Sequence, residues 1–269
     1  MNKLNRTQLL PDRPGIPPMA PMPEPEVVDP AALAAAYRQG EIDLICVLGP
    51  TASGKTRYAV QLAREMGNAH ILSADSRQVY MGMDIGTGKD LREYGEVPYH
   101  LINLVPAGTK YNIYQYQKAF ADAYAVIRTA GAIPILCGGS GLYIEAVTRA
   151  YKFEKENGLP ASALPQRVYY IGTLVSREER VERIDRRLEE RLQEGLVEEV
   201  RGLLETVSAQ DLIYYGLEYK FVTQYILGEL SYDDMVVALG NAIHQFAKRQ
   251  MTWFRGMERD GIRIHWVRP

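Results

Sequence analysis

Several things are scarce in this sequence of 269 residues. Cysteine occurs twice, at Cys46 and Cys137, each inside an apolar run. That is too few, and too far apart, for a disulfide framework or a cysteine-based metal centre. Both are read as free, buried thiols in a reducing cytosol. Long apolar stretches are also missing. No run reaches the ~18 residues that a membrane span needs, and the N-terminus lacks the apolar core of a secretory signal. A cytoplasmic protein with no membrane partner and no obligate protein partner is therefore expected. There is no excess of charge: 31 basic and 33 acidic residues leave a net charge of -2. Contact with nucleic acid would have to come from a local patch. The rest of the composition, 46% hydrophobic and 24% charged, suffices for one large domain with its own core.

The first stretch is a poor candidate for a fold. Eight prolines fall within the first thirty residues, without apolar periodicity, so residues 1–28 read as a disordered, proline-rich tail. Residues 29–269 read as the folded domain. Asp29-Pro30 has the form of an N-cap followed by proline at the first helical position, opening a helix over Ala31–Arg38 that stops at Gly40. Strand and helix patterns then alternate. Buried strands are predicted at Leu44–Leu48, His70–Ala74, Ile133–Cys137 and Val168–Leu174. Helices are predicted at Lys55–Glu65, Tyr111–Ala130 and Gly141–Arg149. The alternation implies an α/β fold, a parallel sheet covered by helices. From about 177 to 257 the pattern is mostly helical, over Arg177–Glu205, Leu217–Gly228 and Ser231–Met257.

The segment Gly49-Pro50-Thr51-Ala52-Ser53-Gly54-Lys55-Thr56 fits G-x-x-x-x-G-K-[ST] between a strand and a helix, the context this phosphate loop requires. Its glycines allow a tight turn whose backbone N–H groups converge on a phosphate. Lys55 adds a positive charge, and the helix N-terminus adds its dipole. The candidate diphosphate contacts are Gly49, Thr51, Ala52, Ser53, Gly54, Lys55 and Thr56. The Thr56 hydroxyl is also the candidate ligand for Mg²⁺. The loop specifies a diphosphate or triphosphate but does not specify ATP.

Further blocks follow in order: Ser73-Ala74-Asp75-Ser76, Tyr80-Met81-Gly82-Met83-Asp84-Ile85-Gly86-Thr87-Gly88-Lys89, Pro98-Tyr99-His100-Leu101, Gly138-Gly139-Ser140-Gly141-Leu142-Tyr143, and Gln245 to Arg255 with Ala247-Lys248-Arg249-Gln250. Together with the phosphate loop, they resemble the tRNA dimethylallyltransferase (isopentenyltransferase) family over about Leu44 to Trp266. The resemblance implies a P-loop NTPase-like fold. It also implies transfer of a dimethylallyl group from its diphosphate to N6 of an adenosine in a tRNA anticodon loop, with Mg²⁺ as cofactor. Asp75 is then the general base, Lys55 and Arg187 act on the diphosphate, and Arg183 adds to them. Ser76, Gln78 and Thr87 fall to the acceptor. Asp75 has other possible uses, as a magnesium ligand or a helix cap. The chemistry suits a base, because the lone pair of an exocyclic adenine amine is delocalised and a carboxylate that takes its proton assists attack.

On a helical wheel Arg180, Arg183, Arg187 and Arg191 fall within about 80° of one another, beside an apolar stripe of Val181, Ile184, Leu188 and Leu192. They either reach a phosphate or lie over the core with their charges in solvent. Lys248, Arg249, Gln250 and Arg255 are the remaining acceptor candidates, since a basic stretch interleaved with aromatics can track a nucleic-acid backbone. The chain departs from its bacterial relatives in two places. Only Ala150 to Arg167 separates the fourth block from the next strand, too short for the relatives' helical insertion. A Gly-Tyr-(Lys/Arg) element is replaced by Glu218-Tyr219-Lys220. Relatives without the insertion prenylate free adenine nucleotides, which makes that acceptor the alternative. A nucleotide-dependent kinase is the remote one.

Overall fold

The computed structural model describes residues 23–149 and 160–269. Six strands form one sheet: β1 (Leu44–Leu48), β2 (Ala69–Ser73), β4 (Tyr99–His100), β6 (Ile133–Gly138), β7 (Val168–Thr173) and β8 (Ile264–Val267). Their order is β4-β2-β6-β1-β7-β8, and every pairing is parallel. The dipeptide strands β3 (Tyr80–Met81) and β5 (Val105–Pro106) pair separately.

β1 is buried at all five positions, as a central strand covered on both faces must be. Its residues alternate between two cores. Leu44, Cys46 and Leu48 enter the larger one, Ile45 and Val47 the smaller. The smaller core lies beneath α1 (Pro30–Arg38) and α2 (Lys55–Met66). The larger lies beneath α3 (Ile113–Thr129), α4 (Gly141–Thr148) and a helical C-terminal part. That part comprises α5 (Arg177–Glu194), α6 (Leu196–Leu203), α7 (Ala209–Tyr215), α8 (Leu217–Ile226) and α9 (Tyr232–Arg259). No described helix is long and apolar enough to cross a membrane. Both cysteines are free and buried.

The caps explain why several predicted boundaries hold. Asp29 accepts hydrogen bonds from the N–H groups of Ala31 and Ala32 and starts α1. Asn112 and Gln115 form a reciprocal capping box at the start of α3. Arg177–Glu205 is not one helix: Gly195, at φ +103°, closes α5 and opens α6. Sequence patterning misses β8, whose four residues include the polar His265.

The predicted tail boundary at residue 28 is corrected. Residues 1–22 lie outside the described part, but Glu26 and Val28 are attached to the domain. The Glu26 N–H donates to Trp266 O at 2.7 Å. The Glu26 carboxylate lies 2.6 Å from His265 Nδ1, and Val28 packs on the smaller core. A truncation ending at residue 22 retains these contacts and one ending at 28 loses them. The longer truncation is expected to melt ~2–4 °C below the shorter, corresponding to about 1 kcal/mol of net hydrogen bonding and packing. Equal melting temperatures by calorimetry would show that the attachment contributes nothing.

Candidate active site

All six strands of the main sheet point the same way, so the loops that follow them meet at one edge. In open α/β sheets, ligands bind in that crevice. The phosphate loop follows β1, Ala74–Gln78 follow β2, and Gly139–Ser140 follow β6. In the phosphate loop, Ala52 and Gly54 take φ +60° and +81°, a curl that turns successive N–H groups inward. Gly49 has no room for a side chain, because a Cβ there would meet Thr173 Oγ1 and Ser53 Oγ. Ser53 is fully buried with its Oγ 2.7 Å from Thr173 Oγ1. Its hydroxyl therefore ties the loop to β7. The Ser53 N–H donates to Pro50 O at 3.3 Å within the loop.

Lys55 Nζ donates to Pro50 O at 3.3 Å. Burial lowers the pKa of its ammonium, the Asp75 charge works against that shift, and the Arg187 and Arg191 charges add to it. Lys55 and Asp75 thus act on one another across the crevice. Thr56 lies beside the Cys137 thiol, whose pKa burial pushes up to about 12. The described residues contain no cluster of three or more His, Cys, Asp or Glu side chains able to hold a metal. The donor set still fits Mg²⁺, which takes few protein ligands and completes its shell with phosphate oxygens and water.

Asp75 stands just beyond β2. Ala74 before it is pinned by N–H donation to Cys137 O at 2.8 Å and by accepting Ser140 N–H at 3.2 Å. Asp75 Oδ1 accepts the Arg77 N–H at 2.9 Å. That leaves Oδ2 without a hydrogen-bond partner among the described residues. Ser76 lies beside it, its N–H donating to Ser140 Oγ at 3.0 Å.

Arg183, Arg187 and Arg191 of α5 lie at this edge. Arg187 shares a cleft with Thr51 and Ala52 of the phosphate loop and pairs with Asp90. Arg183 lies over Gly54, with Nη1 3.6 Å from where a Cβ would stand, and bonds Glu179 at 2.6 Å. Arg191 is mostly buried and bonds Glu218 at 3.1 Å. Burial lowers the pKa of Arg191 and raises that of Glu218.

Three predicted acceptor contacts turn out to brace the site. Gln78 is buried. Its Oε1 accepts Ser73 Oγ–H at 2.9 Å, and its Nε2 donates to Gly88 O at 3.2 Å. Gln250 is also buried. Its Oε1 accepts the Thr51 N–H at 2.8 Å, and its Nε2 donates to Gly139 O at 2.9 Å, clamping two loops together. The Thr87 hydroxyl donates to Met83 O within its own turn. Each of these side chains is held by a hydrogen bond within the protein. Lys248 and Arg249 are exposed on α9, one turn or less from the Gln250 clamp. Arg255 is half-buried and close enough to Arg180 to help lower its pKa, which burial lowers most.

Sequence reasoning assigned no role to the groups that hold the Asp84–Lys89 turn. Glu199 accepts the N–H groups of Asp84, Ile85 and Gly86 at 2.7–3.0 Å. Tyr219 O–H donates to Glu199 at 2.7 Å. Lys89 is almost wholly buried and donates to Tyr80 O, Asp84 Oδ1 and Asn103 Oδ1, each at 2.6 Å. The available signal was the pair Gly86 and Gly88. A Cβ at Gly86 would meet the Tyr219 ring, and one at Gly88 would meet Arg187 and Arg191.

Comparison with known proteins shows what the chain is similar to. The IPP transferase family model matches residues 78–163 and 152–257, and the isopentenyl transferase model matches residues 42–97. A tRNA dimethylallyltransferase 2 from Bacteroides fragilis is 45% identical over 285 residues, covering 84% of this chain and 93% of that protein. A tRNA dimethylallyltransferase 1 from Parabacteroides distasonis is 46% identical over 283 residues, covering 84% and 92%. Both alignments are longer than this chain, so each relative carries residues the chain lacks. The two IPP transferase segments overlap at residues 152–163, inside the short stretch from Ala150 to Arg167. Among solved structures, the tRNA isopentenylpyrophosphate transferase of Bacillus halodurans superposes with a TM-score of 0.73 at 26% identity, covering 84% of this chain and 89% of that one. A eukaryotic dimethylallyltransferase acting on tRNA shares the fold, with a TM-score of 0.72 at 19% identity, covering 84% and 74%. With its phosphate loop, these family matches and 45–46% identity over 84% of its length, the chain belongs to the tRNA dimethylallyltransferase family.

Proposed function

We propose that this protein transfers the dimethylallyl group of dimethylallyl diphosphate to N6 of an adenosine in the anticodon loop of a tRNA, releasing diphosphate, in the cytoplasm. The reading rests on the phosphate loop after β1 and Asp75 after β2 lying at the carboxyl edge of one sheet, with Arg187 beside that loop and Asp75 Oδ2 without a partner among the described residues. The diphosphate lies on the N–H groups of Ala52, Gly54, Lys55 and Thr56 in this loop, with the Lys55 side chain, Arg183 and Arg187 around it. As the allylic C–O bond breaks, its electron pair leaves with the diphosphate, and these cations stabilise the growing charge. The N6 lone pair attacks the allylic carbon, and the proton freed from N6 goes to Asp75 Oδ2. Mg²⁺, held by Thr56 and the diphosphate oxygens, would supply further charge neutralisation when bound.

An adenine stacked within a loop cannot reach a carboxylate at the edge of a sheet, so the base must be extruded. Phosphate contacts from Lys248, Arg249 and Arg255 would offset that cost. Incubation with labelled dimethylallyl diphosphate and bulk tRNA, AMP or ATP tests the reading. Label is expected on tRNA adenosine, with little on AMP and no ATP turnover. Label on AMP at comparable efficiency with tRNA unlabelled would make the protein a nucleotide prenyltransferase, and coupled ATP hydrolysis would make it a kinase.

A further inference from the structure

Two residues from Asp75, the Arg77 guanidinium lies over the ring of Tyr214, 5.7 Å from its centroid. Tyr214 is 73% exposed, a large loss of apolar burial for a side chain of this size. Its neighbour Tyr215 is buried, packs against Tyr80 with tilted rings 4.4 Å apart and donates its hydroxyl to Thr109 O at 3.0 Å. One tyrosine thus anchors α7 while the other is held out in solvent. Arg77 forms no ion pair with any described residue. Its position is fixed at both ends: its N–H is bonded to Asp75 Oδ1 at 2.9 Å, and its side chain runs past Gly216, where a Cβ would lie 3.9 Å from Nε. Gly216, at φ +154°, separates α7 from α8, which leaves the tyrosine projecting from the end of a short helix.

An exposed ring with an unpaired guanidinium on it is an arrangement that binds a planar, electron-rich group through stacking and cation–π attraction. Its distance from the base limits what that group can be. The target adenine occupies Asp75, and Arg77 begins two residues away, so the platform meets whatever is joined to that adenine by one backbone step. We infer that Tyr214 and Arg77 form a stacking platform for the nucleobase next to the target adenosine. They would be positioning residues that hold the loop open after the target base has been extruded. The inference rests on the tRNA reading above. It adds a contact from the core in a chain that lacks the relatives' insertion.

The test uses the whole protein and an anticodon stem-loop RNA with 2-aminopurine beside the target adenosine. Binding to the wild type is expected to change the probe's fluorescence. Tyr214→Leu, which keeps bulk but removes the ring, should lose the change and raise KM for the RNA about tenfold, the lower part of the range for one stacked base. Its affinity for dimethylallyl diphosphate should be unaltered, and Tyr214→Trp should restore both readouts. An unchanged KM and fluorescence in Tyr214→Leu would overturn the proposal and leave the tRNA reading intact. A loss that Tyr214→Trp does not rescue would also overturn it, by assigning Tyr214 a merely structural role. If wild-type protein neither binds the RNA nor labels it, the tRNA reading fails and the platform fails with it.

Discussion

Asp75→Asn is expected to slow prenyl transfer ~10²–10⁴-fold, the usual contribution of a general base, while dimethylallyl diphosphate still binds. The substitution is well matched to the question. Asparagine keeps an Oδ1 that can accept the Arg77 N–H bonded to Asp75 at 2.9 Å, so the turn after β2 should survive. What is lost is the ability of Oδ2 to take a proton. A second effect follows from Lys55. Burial already lowers its pKa and the Asp75 charge opposes that shift. With the charge gone, the ammonium should lose its proton at lower pH than in the wild type. Donor binding by the variant should therefore weaken at alkaline pH before that of the wild type does. Single-turnover rates with saturating donor, and donor titrations across pH, separate the two effects. Near-normal turnover would remove Asp75 from the base role and return it to a structural one.

The sheet and the donor half of the site were legible in the sequence, because each is encoded locally. β1 is a contiguous apolar run, and the phosphate loop puts eight consecutive residues in one turn. The arginines of α5 could be grouped by helical spacing alone, although spacing could not decide between phosphate and solvent. The bracing of the site was not legible, because its partners are distant in sequence. Glu199 serves residues more than a hundred positions away, and Gln250 joins loops that follow β1 and β6. For the same reason the internal hydrogen bonds of Ser53, Gln78, Thr87 and Gln250 could not be read from the sequence. A polar residue in a family block looks alike in sequence whether its hydrogen bonds go to substrate or to the next loop. β8 escaped notice because it is short and holds a histidine whose partners are Glu26 and the stacked ring of Tyr169.

Lys55→Ala should have opposite effects on activity and on stability. In the absence of donor, Lys55 is a largely desolvated cation whose neighbours Arg187 and Arg191 both disfavour its charge. Asp75 offsets this only in part, and the net result is a lowered pKa. Removing the amine relieves that repulsion, so the donor-free variant should melt no lower than the wild type. A gain in stability at the cost of function is what a site pre-charged for its ligand predicts. Catalysis should suffer heavily, because the ammonium supports both the bound diphosphate and the charge that grows as the C–O bond breaks. A loss of ~10²–10³-fold in kcat/KM is expected, on the scale of removing one preorganised charge-stabilising group. Lys55→Arg should not rescue it, since the guanidinium is larger and the amine lies against Pro50 O at 3.3 Å. Thermal shift with inorganic diphosphate gives a readout that does not depend on turnover. The wild type should rise in melting temperature with ligand concentration, as binding to the folded state requires, and Lys55→Ala should rise far less. If Lys55→Ala melts well below the wild type without ligand, the lysine is a structural tie to Pro50. If its shift with diphosphate equals that of the wild type, the donor's charge is held elsewhere on the sheet edge.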